Sequence, residues 1–329
     1  MKELAREALL AALADGRARS GEELARAFGV SRAAVWKHVR KLEDWQVEVR
    51  GAPGHGYRLE RPIDLLDREA LAAALARRLE GAVRLEVHTE LASTNARLLD
   101  APPPPGVSSA CLAEYQTAGR GRRGRRWRTP LGAGLCLSVG WQFERTPPDL
   151  PALTLAAGVT TRRVLAAEAG VDAALKWPND LVWDERKLGG ILVEMTAEAQ
   201  GACHVVIGVG INVAMPPALL AAVSDWPRGA VDLATATGGS PPSRTALAAA
   251  LVEALHRLCA GYAASGFAPY LDGWREADYL RGRRVAIDEP RAPVTGVALG
   301  IDASGALLVE TDAGERRRVI AGDVSVRGA

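Results

Sequence analysis

Apolar residues recur along this chain at helical spacing in some stretches and in alternation in others, and the changes divide it into three parts. Near the N-terminus, Leu4, Ala8, Leu9, Ala12 and Leu13 mark one face of a helix that Asp15-Gly16 should stop. Ser20 with Glu23 forms a capping box opening a second helix through Phe28, and Ser31 caps a third from Arg32 to about Asp44. Gly29 makes a short turn between them, which predicts a helix-turn-helix. Two β-like runs, 47–49 and 57–59, flank the glycine-rich Gly51-Ala52-Pro53-Gly54-His55-Gly56, as in the wing of a winged helix.

Residues 61–66 read as a linker, followed by a helix over 67–79. Strands are then expected at 83–88, 109–114, 134–141, 191–196 and 205–211, and helices at 94–99, 153–169 and 245–264. Strands in hairpin-like succession with helices apart predict an α+β sheet layered with helices. The last part holds short strands at 285–287, 294–301, 306–310 and 316–320, with turns such as Asp302-Ala303-Ser304-Gly305, the signature of a small β-barrel. The expected class is an α+β multidomain protein divided at 1–64, 65–275 and 276–329.

The 329 residues carry a net charge of only +2, so any nucleic-acid surface must be local. No unbroken run of about 18 apolar residues occurs, and no membrane association is expected. Cys111, Cys136, Cys203 and Cys259 are scattered without metal-site spacing, which fits a reducing cytoplasm. Cationic residues are 36 Arg and 5 Lys, so each lysine stands out. Lys37 and Lys41 fall in the third helix beside Ser31, Arg32, His38 and Arg40, and residues 31–42 contain no acid. That face suits phosphate contacts and entry into a major groove. The plainer alternative is a solvated basic face on a module that binds protein. Ala33, Val35 and Val39 are expected to belong to the core.

Four clusters in the middle part carry chemistry. Ser93-Thr94-Asn95 stands at a helix start, either as a simple cap or as a polar corner for a small ligand. Residues 115–127 alternate glycines with Arg120, Arg122, Arg123, Arg125 and Arg126 and end in Trp127. Such a loop offers guanidinium donors and close backbone approach to an anion, which would order it; a solvated charge run is the alternative. Lys176-Trp177-Pro178-Asn179-Asp180 reads as a turn, with Arg186-Lys187-Leu188-Gly189-Gly190 placing a second lysine before a strand. In Gly208-Val209-Gly210-Ile211-Asn212 the glycines imply close approach by a ligand, while the missing third glycine excludes a dinucleotide fold.

Taken in order, these motifs resemble the bifunctional biotin–protein ligase and biotin operon repressor family. The resemblance runs from Ser31-Arg32-Ala33-Ala34-Val35-Trp36-Lys37-His38 to the Gly300–Leu308 region, and the combination of loop, Lys-Trp-Pro-Asn-Asp and Arg-Lys-Leu-Gly-Gly is highly specific. It implies a winged helix, a class-II-synthetase-like catalytic domain with a mixed sheet, and an SH3-like barrel. It implies biotin against Ser93, Thr94, Asn95 and Gln116, with Arg120, Gly121 and Arg122 closing over it and Lys187 at its carboxylate. Lys176, Asn179, Asp180, Asn212 and Trp226 would lie on the nucleotide side, with Mg²⁺ brought by ATP near Asp180. Arg122, Lys176, Asp180 and Lys187 would be the catalytic set. Biotinyl-AMP would form, then acylate a lysine of apo biotin carboxyl carrier protein. The adenylate would also promote a homodimer that binds operator DNA. Ala92, where members often have Asp, and the loosely matching 218–239 depart from the pattern. Competing readings are a lipoate or octanoate ligase, a non-catalytic biotin sensor, and a ligase whose winged helix no longer represses.

Overall fold

The computed structural model describes residues 6–52, 56–79, 82–197, 201–223, 226, 228–288, 294–320 and 322–326. The expected helix start at Leu4, the wing tip Pro53-Gly54-His55 and positions 224, 225 and 227 of the loosely matching segment lie outside these residues.

The first module contains α1 (Arg6–Leu13), α2 (Gly21–Phe28), α3 (Arg32–Arg40) and the hairpin β1 (Val49–Ala52) and β2 (Gly56–Leu59). The capping serines act locally as the sequence predicts. Ser20 Oγ accepts from Glu23 N at 3.0 Å, and Ser31 Oγ from Ala34 N at 3.1 Å. Gly29, at φ 67°, makes the left-handed turn between α2 and α3. The third helix is shorter than expected: it ends at Arg40, and the chain tightens into a 3-10 turn over Lys41–Trp45. Leu9, Leu13, Leu24, Val35, Val39 and Trp45 form the small core. Ala33 is exposed, against expectation, because it falls on the outer side of α3.

The middle part is built on a seven-stranded sheet. In chain order it contains α4 (Arg68–Leu79), β3 (Val83–Leu91), α5 (Thr94–Leu99), β4 (Ser108–Gln116), β5 (Gly134–Phe143), α6 (Leu153–Ala169), β6 (Ala174–Lys176), β7 (Asp180–Trp183), β8 (Arg186–Ala197) and β9 (Cys203–Asn212). After these come α7 (Pro217–Ala221), α8 (Leu233–Ala236), α9 (Arg244–Ser265) and α10 (Leu271–Ala277). The strand order is β3-β4-β5-β9-β8-β7-β6, and β3 with β4 is the one parallel pair, so the sheet is mixed.

Side-chain alternation sorts the two faces of this sheet. Ala110, Leu112, Leu137, Val139 and Ile207 pack into the large core with α6 and α9, whereas Cys111 and Val206 pack against Leu98 of α5. By length and composition α9 could cross a membrane. Here it is a core helix: Leu247, Leu251, Leu255 and Tyr262 are buried, and so is the ion pair of Arg244 with Glu114. The turn expected at Lys-Trp-Pro-Asn-Asp is present at 177–179, where it closes a β-hairpin of β6 and β7 that the sequence reading did not anticipate; β8 begins at Arg186, upstream of the expected start.

The last part is a five-stranded antiparallel sheet of β10 (Arg284–Asp288), β11 (Val294–Ile301), β12 (Leu307–Thr311), β13 (Arg316–Val319) and β14 (Asp323–Val326), in the order β13-β12-β11-β10-β14. The strands expected of a small barrel are present, with β14 an addition to the sequence reading. No ladder joins β13 to β14 among the described residues. Trp177 Nε1 donates to Gly305 O at 3.0 Å, fastening this part to the hairpin β6–β7.

Candidate active site

A cavity of about 990 Å³ opens over the sheet where β4, β5, β8 and β9 meet the start of α5. Every residue expected to hold biotin or nucleotide, from Ser93 to Trp226, lines it.

One end is a buried polar corner. Ser93 caps α5, its Oγ accepting from Ala96 N at 3.4 Å, which presents Thr94 and Asn95 toward the sheet. Gln116, at the end of β4, accepts from Thr94 N at 2.8 Å. Ser138 Oγ bonds Thr94 Oγ1 at 2.7 Å and Asn95 Oδ1 at 2.6 Å, and Asn95 Nδ2 donates to Glu194 at 2.8 Å. Ser93, Thr94 and Asn95 are each under 5% exposed, so the corner is a fixed array of donors and acceptors.

The strand glycines also serve this corner in a way the sequence reading did not anticipate. A Cβ on Gly208 would lie 2.2 Å from Asn95 Oδ1, and one on Gly210 would lie 2.6 Å from the Trp127 ring. The glycines therefore make room for the protein's own Asn95 and Trp127, which then form the cavity wall. Both glycines also line the cavity, as the expected close approach of a ligand requires.

The Arg-Gly loop is a tight hydrogen-bonded turn over the cavity. Gly121 N donates to Arg125 O at 2.7 Å and Trp127 N to Gly119 O at 3.0 Å. Its arginines are dispersed to separate partners. Arg120 pairs with Glu194 at 3.1 Å, and Arg122 reaches Asn179 Oδ1 at 3.5 Å and Gly322 O at 3.3 Å. Like charges are thus spread among acceptors instead of being stacked.

The far end of the cavity concentrates positive charge. The hairpin β6–β7 puts Lys176 opposite Asp180, and the β7–β8 pairing brings in Lys187. Lys187 Nζ lies 2.9 Å from Asp180 Oδ1, and Lys176 Nζ 3.7 Å from Asp180 Oδ2. Two ammonium groups thus flank one carboxylate on the cavity wall. The same geometry does not fit a metal at Asp180, since both oxygens face cations that would repel a divalent ion. Asn179 and Asn212 brace the backbone: Asn179 Nδ2 donates to Ile191 O at 2.8 Å, and Asn212 Nδ2 to Val231 O at 3.0 Å. Trp226 covers Lys176 at 5.0 Å from its ring centroid.

Sequence reasoning passed over several lining residues. Tyr279 stands 5.8 Å from Trp226, centroid to centroid, and its hydroxyl donates to Glu185 at 2.7 Å. Arg283 grips Glu185 with two bonds of 2.7 and 2.9 Å. These hydrogen bonds from Arg283 and then Tyr279 hold the Glu185 carboxyl below its usual range, while burial and the Glu185 contact push the Tyr279 phenol up to about 12. Gln46 of the first module and Val324 of the last also reach the cavity. Glu185 adjoins the Arg186-Lys187 motif, but Gln46, Tyr279, Arg283 and Val324 lie far from any motif, so no local signal marks them.

The residues expected to meet DNA lie elsewhere, on the first module. Arg32, Lys37, Arg40 and Lys41 are exposed there. Ser31 is exposed but spends its hydroxyl on the cap. His38 is half-buried, and its Nδ1 is enclosed without a hydrogen bond.

The chain matches three family models: biotin/lipoate A/B protein ligase over 91–212, the biotin protein ligase C-terminal domain over 281–327, and a helix-turn-helix domain over 6–58. It is 40% identical to the bifunctional ligase/repressor BirA of Escherichia coli, covering 98% of this chain and 97% of that protein. This chain belongs to the bifunctional biotin–protein ligase/repressor family. It is 34% identical to the biotin–[acetyl-CoA-carboxylase] ligase of Mycobacterium tuberculosis over 79% of this chain and 95% of the relative. The biotin protein ligase of Aquifex aeolicus, solved in complex with biotin and ATP, superposes with a TM-score of 0.62 at 25% identity, covering 75% of this chain and 99% of that one. This ligase/repressor thus combines an ATP-dependent biotin ligase with a helix-turn-helix module.

Proposed function

We propose that the ligase joins biotin to a lysine of apo biotin carboxyl carrier protein in two steps within the one cavity. The carrying observation is that the polar corner of Thr94, Asn95 and Gln116 and the lysine pair at Asp180 line the same cavity. The corner offers buried donors and acceptors to the ureido ring of biotin. A dithiolane or alkyl head would bring no donor or acceptor to that polar corner, which argues against lipoate or octanoate.

In the first step a carboxylate oxygen of biotin attacks the α-phosphorus of ATP, and the bond to pyrophosphate breaks. An anion must approach a polyanion, and Lys187, Lys176 and Arg122 offset that repulsion. Removing one such donor typically costs ~10²–10³ in rate. Asp180 holds the two ammonium groups in place. Trp226, with Tyr279 behind it, supplies an aromatic wall for the adenine. Mg²⁺ travels with the phosphates of ATP and is assigned to no side chain. The loop at Arg120, Gly121 and Arg122 shields the mixed anhydride from water. In the second step a neutral carrier-lysine amine attacks the acyl carbon, the bond to AMP breaks, and the amine loses its proton.

Repression follows from the same intermediate: when apo carrier is scarce, the bound adenylate promotes a homodimer whose paired α3 helices read a two-fold operator. The cytoplasm is the compartment that supplies both partners. The test is pyrophosphate release from Mg-ATP with biotin or lipoate. A burst of about one equivalent with biotin alone, turning continuous on adding apo carrier, is expected. Equal bursts with both acids would overturn the biotin assignment, and no burst would overturn adenylation.

A further inference from the structure

Four large apolar side chains are exposed among the described residues: Trp36, Met195, Leu219 and Ile320. Leu219 lines the ligand cavity. Trp36 stands in the middle of the acid-free cationic helix α3, and it is 52% exposed. Val35 and Val39 of the same helix are buried, and the half-exposed indole lies on the flank of the helix beside them. Arg32 and Arg40 sit four residues to either side, on the same face. The Arg40 guanidinium carbon lies 5.3 Å from the centre of the indole, which holds ring and guanidinium together.

An exposed tryptophan inside a charged surface calls for a partner that is both polyanionic and locally apolar. A DNA major groove meets both conditions. Phosphates flank it, and among the base edges it displays one apolar group, the C5-methyl of thymine. The face of an indole cannot read a hydrogen-bond pattern, but it can pack on that methyl. We infer that Trp36 is a sequence-reading residue of this protein, packing on a thymine methyl in each half-site. The inference rests on α3 being the DNA-reading helix.

The experiment uses the full chain with biotin and Mg-ATP. Wild-type protein first selects duplexes from a random pool. Fluorescence anisotropy then measures binding to the selected duplex and to copies in which single thymines are replaced by deoxyuridine, which removes only the methyl. At one thymine per half-site, deoxyuridine should weaken wild-type binding about four-fold, the effect of burying one methyl group. Trp36→Ala should bind the selected duplex more weakly and no longer respond to that replacement. Its salt dependence should be unchanged, because no phosphate contact is lost. Trp36→Phe should regain part of the methyl dependence, which a merely structural defect would not do. Equal deoxyuridine sensitivity in wild type and Trp36→Ala, or none in wild type, overturns the inference while leaving α3 as the reading helix. Failure of wild type to enrich any sequence overturns both.

Discussion

The ion pair of Arg244 with Glu114 gives the sharpest test of how the parts are held together. Arg244 is 1% exposed and Glu114 6%. Arg244 Nη1 donates to Glu114 Oε2 and to Asp64 O, both at 2.7 Å, and Nε donates to Gly134 O at 3.0 Å. The other Glu114 oxygen accepts from Leu66 N. One buried pair therefore fastens the linker after the winged helix, the end of β4 just before Gln116, and the start of β5. Arg244→Met would strand a buried carboxylate, at a cost of about 3–5 kcal/mol. For a cooperative unit of this size each kcal/mol is worth roughly 2–4 °C, so its calorimetric transition should fall by about 6–20 °C. Arg244→Met with Glu114→Leu removes both charges and leaves Asp64 O, Gly134 O and Leu66 N short of a partner, at about 1 kcal/mol each. The double variant should therefore be no less stable than the single one. Limited proteolysis should cut both variants faster within 61–66. A single variant within about 1 kcal/mol of wild type, or a double variant as unstable as the two singles summed, would refute the reasoning.

Three further outcomes are expected. Lys187→Met should lower the single-turnover rate of biotin adenylation by ~10²–10³, read as the pyrophosphate burst; a change below about threefold would remove Lys187 from the reacting centre. Gly208→Ala should raise the Kd for biotin about tenfold or more, measured by calorimetry, because its methyl displaces the Asn95 carboxamide that one or two of the corner's hydrogen bonds depend on. An unchanged Kd would mean that the corner does not meet biotin. In the last domain, burial acts to raise the Asp302 pKa, but hydrogen bonds from Arg318, Ser304 and Ala306 outweigh it and lower the value to about 2. A depressed folded pKa gives stability that is present above the unfolded value of about 4 and is lost as the pH falls toward 2. Screened by solvent, the contribution is about 1 kcal/mol at neutral pH, and Asp302→Asn should remove it and flatten the acid limb of the unfolding curve between pH 4 and 2.

Much of the architecture was legible because its causes are local. Ser20 and Ser31 cap their helices by accepting from amides three residues on, and Gly29 turns the chain between them, so the helix-turn-helix needs no distant contact. The motifs of the site were legible because glycine, lysine and arginine at those spacings have few other uses. Where tertiary contacts decide the outcome, the reading was incomplete or wrong. Lys176 to Asp180 does turn as its residues predict, but the flanking strands and the gathering of both lysines around one carboxylate follow from the pairing of β6, β7 and β8. Ala33 is apolar but sits on the outer side of its helix, and β14 offers only four residues of pattern.

By itself, then, the sequence determined the order of the three modules, the caps and turns of the first, and many of the residues that line the cavity. Only the tertiary structure decided that Gly208 and Gly210 make space for Asn95 and Trp127, that Tyr279 and Val324 join the cavity, and that Arg244 finds Glu114 across 130 residues of chain. The physical reason is range. Capping and turn energies act over a few residues and are written where they act. Steric complementarity and buried charge pairing act between surfaces that meet only when the chain has folded, and no local pattern records them.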